Sequence, residues 1–75
     1  MAYATGHATA TVTSWSDDEG WGVVEAPGLP GGCWVHFSAI QGPGFHSLAV
    51  GSTVDIEWES TEQDGYHFRA VSLIA

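Results

Sequence analysis

Basic residues are almost missing from this chain. One of its 75 residues is basic, Arg69, against nine Asp and Glu, and the formal net charge is −8. Proteins that grip nucleic acid through charge displace counterions from phosphates with Lys and Arg, so that mode of binding is excluded. Cysteine is equally scarce. Cys33 stands alone, which excludes a disulfide within the chain and fits a reducing cytoplasm. No apolar run is long enough to span a membrane, and Met1 to Ala10 has neither the basic start nor the apolar stretch of a signal peptide. A cytoplasmic protein without a membrane partner is the expectation. Helical periodicity is absent too. Ser38 to Leu48 is too rich in Gly and Pro for more than a single turn near Ser38 to Gln41.

What is present argues for a folded β domain. Hydrophobic residues make up 44% of the chain and four residues are Trp, which excludes disorder by composition. The length allows one domain over residues 1–75, with its core over about 8–74 and a loose tail over 1–7. Glycine and proline cut the sequence into strand-length pieces. In Ala8 to Trp15, Ala8, Ala10 and Val12 alternate with Thr9, Thr11 and Thr13, a period of two rich in β-branched residues. Trp21 to Glu25 and Cys33 to Phe37 are the second and third strands. In Thr53 to Glu59, Val54, Ile56 and Trp58 oppose three acidic residues, which places Trp58 in the core. Tyr66 to Leu73 alternates at first and changes phase near Ala70, which predicts a bulge. Five short strands that must each bury one face and hide their edges close into a barrel. Pattern alone leaves a barrel of Src-homology-3 type as a rival.

Two segments carry more than pattern. One is Glu19-Gly20-Trp21-Gly22-Val23-Val24. The other is Cys33-Trp34-Val35-His36-Phe37, continuing Ser38-Ala39-Ile40-Gln41-Gly42-Pro43-Gly44-Phe45. Together they resemble the two ribonucleoprotein motifs of the bacterial cold-shock proteins, and the likeness extends over roughly Ala8 to Ile74. The resemblance implies an all-β fold, a five-stranded antiparallel OB-fold-like barrel. It also implies a function: binding single-stranded RNA or DNA on stacked aromatic rings, so as to loosen or protect transcripts without consuming energy.

The residues support that implication on their own terms. Alternation puts Trp21 and Val23 on one face of the second strand and Trp34 and His36 on one face of the third. If the two strands pair, these faces adjoin, while Cys33 and Val35 point into the barrel. Gly20 and Gly22 leave the face unobstructed for a flat ligand. Stacking on such rings contributes about 1–3 kcal/mol per base. The resemblance adds Phe37, Phe45 and His46 as contact positions, and Trp15 at a site that is partly buried in the family. The expected nucleic-acid-binding residues are therefore Trp15, Trp21, Val23, Trp34, His36, Phe37, Phe45 and His46.

Several positions depart from the family, chiefly in charge. Glu19 and His46 stand where the family has Lys, and Thr11 and Thr13 replace flanking lysines. Ser14 and Val23 replace two aromatic platforms. Asp17, Asp18 and Glu19 make an acidic run beside the proposed face. For single strands the salt slope is roughly 0.7 per neutralised phosphate, so a chain with Arg69 alone should bind with almost no salt dependence. The second reading left open is an acidic interaction module, or nucleic-acid mimic, that offers the same face to a basic protein. No carboxylate pair or nucleophile with a partner suggests an enzyme. His7, His36, His46 and His67 lack the spacing of a metal site, so neither metal nor cofactor is expected. A monomer is expected.

Overall fold

The computed structural model describes residues 4–42, 47–63 and 65–74, with Gln63 by its backbone only. It contains five strands: β1 (Thr5–Ser16), β2 (Trp21–Glu25), β3 (Cys33–His36), β4 (Thr53–Gln63) and β5 (Tyr66–Ile74). A single 3-10 turn over Phe37–Ala39 follows β3, where the sequence allows one turn and no more. The strands close into a barrel in the order β1-β2-β3-β5-β4. All pairings are antiparallel except the β3–β5 seam, which is parallel and rests on one register pair, Trp34 opposite Arg69. β1 begins earlier than the alternation suggests. Thr5, Gly6 and His7, expected in a loose tail, pair with Glu59, Trp58 and Glu57 of β4.

The interior is small and filled by small residues. Val12, Val24, Cys33, Val35 and Leu73 are fully enclosed, and Leu29, Ile40 and Leu48 close the barrel from the loops. β-Branched and short side chains suit a five-stranded barrel, whose lumen has room for one layer of them. Burial pushes the Cys33 thiol up to about 12, so it is a neutral, apolar filler at physiological pH. Trp58 packs at the edge of this core, with its ring edge-on to Phe68 at 5.4 Å between centroids. No helix among the described residues is long and apolar enough to cross a membrane.

Two bulges set which side chains face out. In β5 the register passes from Glu57–Ser72 to Trp58–Ala70, so Val71 is the extra residue and is pushed to the surface. Ala70 and Leu73 can then both point inward, which explains the phase change in the sequence. In β1 the register passes from Val12–Val24 to Ser14–Val23, leaving Thr13 unpaired, and its hydroxyl donates to the Val23 carbonyl at 3.2 Å. Strict alternation would turn Trp15 outward with Thr13. The bulge returns it to the core side, where it packs half-buried against the barrel.

Candidate nucleic-acid interface

The β2–β3 hairpin is in the register that the site requires. Trp21 pairs with His36 and Val23 with Trp34. Side chains of one face therefore alternate from strand to strand, and the rings meet. Trp21 and Trp34 lie near-parallel, at 28°, with centroids 6.1 Å apart. Trp34 and His36 lie at 21° and 5.8 Å. His36 and Phe37 follow at 4.4 Å. At the other end Tyr66, the first residue of β5, meets Trp21 edge-on at 6.5 Å. The result is a continuous row of five rings, Tyr66–Trp21–Trp34–His36–Phe37, across three strands and a turn. These spacings lie in the range of attractive ring pairs, so the row supports its own arrangement.

Local chemistry fixes each ring. Gly22 lies on the core side beneath β1. A Cβ there would stand 2.2 Å from the Ser14 carbonyl oxygen and 2.7 Å from the Trp15 ring, so this close approach needs glycine. Gly20 adopts a φ of +77°, and a Cβ would stand 2.9 Å from Phe37 Cδ1. The Phe37 amide donates to the Gly20 carbonyl at 2.8 Å. Phe37 thus opens the 3-10 turn, is 45% exposed, and is stitched to the turn that carries Asp17, Asp18 and Glu19. His36 caps this turn: its Nδ1 accepts from the Ser38 amide at 3.2 Å and lies 2.8 Å from Ser38 Oγ. In that arrangement Nε2 is the nitrogen left to face a ligand. Trp34 Nε1 is buried with no hydrogen-bond partner, so packing alone orients this indole.

Not every expected residue joins the row. Val23 is on the outer face as expected and is 8% exposed, so it presents little surface. Trp15 stands apart. Its Nε1 donates to Asp17 Oδ1 at 2.8 Å, and the same oxygen accepts from Ser47 Oγ at 2.8 Å. That pair of bonds ties the β1–β2 turn to the chain entering β4, a structural duty away from the ring row. Phe45 and His46 lie outside the described residues. Tyr66 is the residue that sequence reasoning missed, because a contact between β5 and β2 leaves no local periodic signal.

The one guanidinium of the chain also reaches this region. Arg69 faces Trp34 across the seam and is ion-paired with Glu59, both side chains being partly exposed. Among the described residues no group of three or more His, Cys, Asp or Glu is placed to hold a metal ion.

No protein-family model matches the chain. It is 41% identical over 49 residues to the cold shock-like protein CspLB of Listeria monocytogenes, a stretch covering 65% of this chain and 73% of that protein. It is 41% identical over 51 residues to the major cold shock protein CspA of Bacillus cereus, covering 68% of this chain and 75% of the relative. The protein of the same name from Bacillus anthracis gives the same figures.

Proposed function

The chain belongs to the cold-shock protein family, and on that footing we propose that it binds single-stranded RNA or DNA by stacking bases on the ring row, weakly and with little salt dependence. The observation that carries this reading is the unbroken row from Tyr66 to Phe37. Trp21, Trp34, His36, Phe37 and Tyr66 supply the platforms, and Phe45 and His46 are further contact residues by the family resemblance alone. Three or four stacked bases at about 1–3 kcal/mol each, set against the cost of association, give micromolar or weaker affinity. The acidic turn and the paired Arg69 add no attraction for phosphate, so stacking and hydrogen bonds carry the binding.

Alanine variants test the reading. Trp34→Ala and Trp21→Ala each remove one platform and should weaken binding of a heptathymidine about 5- to 100-fold, the equivalent of one stacked base. Unchanged affinity in both variants would refute it. One observation favours a second reading. The Asp17–Glu19 turn abuts the exposed Phe37 ring through Gly20, an acidic rim on an aromatic patch that suits a basic protein surface. Such a complex would weaken steeply as salt rises, whereas stacking on single strands would not.

A further inference from the structure

The parallel seam between β3 and β5 is incomplete. The strands touch at Trp34–Arg69, and β5 next meets the chain after the 3-10 turn at Ile40–Leu73. Between these two points β3 has ended, and the Val71 bulge displaces β5. The opening is a groove of about 360 Å³ whose walls include Trp34, His36, Ser38, Arg69 and Val71. It borders the ring row on two of its members, Trp34 and His36, so a base leaving the row at this point arrives in the groove.

The groove holds the chain's one guanidinium. Arg69 is bound to Glu59 through a single nitrogen, so the other donors of its planar fork are not used by that pair. Because Glu59 neutralises the charge, the pair does not attract phosphate. What it offers is directional N–H groups. A planar fork of donors selects an edge with two adjacent acceptors. In a single strand two base edges offer this, the O6 and N7 side of guanine and the O2 and N3 side of cytosine, and of the two the larger purine fills more of the groove. Adenine sets an amino group against one arm of the fork, and thymine offers one carbonyl beside a methyl group.

We infer that this seam groove is a guanine-reading subsite, with Trp34 and His36 stacking the neighbouring bases and Arg69 donating to guanine O6 and N7. The inference rests on the single-strand reading given above. Arg69 would then set specificity in a protein whose remaining contacts are indifferent to sequence.

The test uses the full chain and a set of heptathymidines carrying one guanine, one cytosine or one adenine, at each position in turn. Tryptophan fluorescence reports affinity. The best-placed guanine should tighten binding about 5- to 100-fold over heptathymidine, and adenine or cytosine at that position should not. Arg69→Lys keeps the charge but loses the fork, so the guanine preference should vanish while heptathymidine affinity stays within about twofold. Val71→Phe fills the groove from the exposed bulge without touching the Arg69–Glu59 pair, and should abolish the preference in the same way. Thermal melts confirm that each variant folds. Heptathymidine binding without guanine preference, or a preference that survives both variants, overturns the subsite and leaves the stacking reading standing. Failure to bind any oligonucleotide overturns both.

Discussion

Glu59→Gln isolates the electrostatic part of the account. Arg69 is the one Lys or Arg in the chain, and it is matched by Glu59, whose side chain is 20% exposed against 41% for Arg69. Gln keeps the shape of Glu and still accepts a hydrogen bond from the guanidinium, so the fold is retained. The charge, however, is released. For a single strand each neutralised phosphate contributes a slope of about −0.7 in log affinity against log salt. The wild-type slope is expected near zero, because the pair is neutral and the rest of the surface repels phosphate. The variant should therefore lose about fivefold in affinity for a heptathymidine over a tenfold rise in salt, relative to wild type. The assay is a fluorescence titration at about 50 and 500 mM salt, within the range where surface charges pass from partly to largely screened. Identical slopes for the two proteins would show that Arg69 is not near the bound strand, and would remove the electrostatic part of the argument.

Three further outcomes are expected. Cys33 ionises from about 12 in the folded barrel but from 9.0 when exposed, because burial disfavours the thiolate. The unfolded chain then binds fewer protons between these values, so the stability contribution is complete below pH 9.0 and is lost as pH rises towards about 12. Denaturant titrations from pH 8 to 11 should show a shallower alkaline decline in Cys33→Ala, and parallel curves would contradict this. Gly22→Ala forces a Cβ into the Ser14 carbonyl and the Trp15 ring, and should cost about 2 kcal/mol or more, a fall in Tm of roughly 10 °C or greater. A melting curve unchanged from wild type would show that the β1–β2 approach is looser than described. Trp15→Phe keeps an aromatic ring against the core but removes the bond to Asp17, so stability should fall by about 1 kcal/mol with heptathymidine affinity unchanged. A clear loss of affinity would return Trp15 to the binding surface.

Much of this architecture is legible in the chain because its strands are short and half-buried. Period-two alternation marks the inward Ala10, Val12, Val54 and Ile56 without any knowledge of the barrel. The phase break near Ala70 betrays the Val71 bulge for the same reason: two apolar residues three apart cannot share a face unless one residue is extra. The Thr13 bulge leaves no such trace. Thr, Ser and Trp tolerate either face, so nothing in Thr13-Ser14-Trp15 reveals that Trp15 returns inward. The ring row divides along the same line. Trp21, Trp34 and His36 are near neighbours along one hairpin and alternation brings them together, while Phe37, which opens the 3-10 turn, is legible only through the family resemblance. Tyr66 and Arg69 reach the row only when the barrel closes and brings β5 beside β3, far from it in sequence. The seam groove, which depends on where β3 stops and where β5 bulges, is invisible until both are in place.

That stacking and hydrogen bonds sustain binding on a barrel without lysine is the proposal at stake. It is tested most directly by titrating the wild-type protein's tryptophan fluorescence with heptathymidine and a matching uridine-rich RNA at low and moderate salt. Saturable quenching is expected at micromolar to sub-millimolar oligonucleotide, little changed by salt. No quenching up to about millimolar strand would contradict it, since three or four bases stacked at about 2 kcal/mol each give about 6–8 kcal/mol, beyond the roughly 4 kcal/mol of a millimolar Kd.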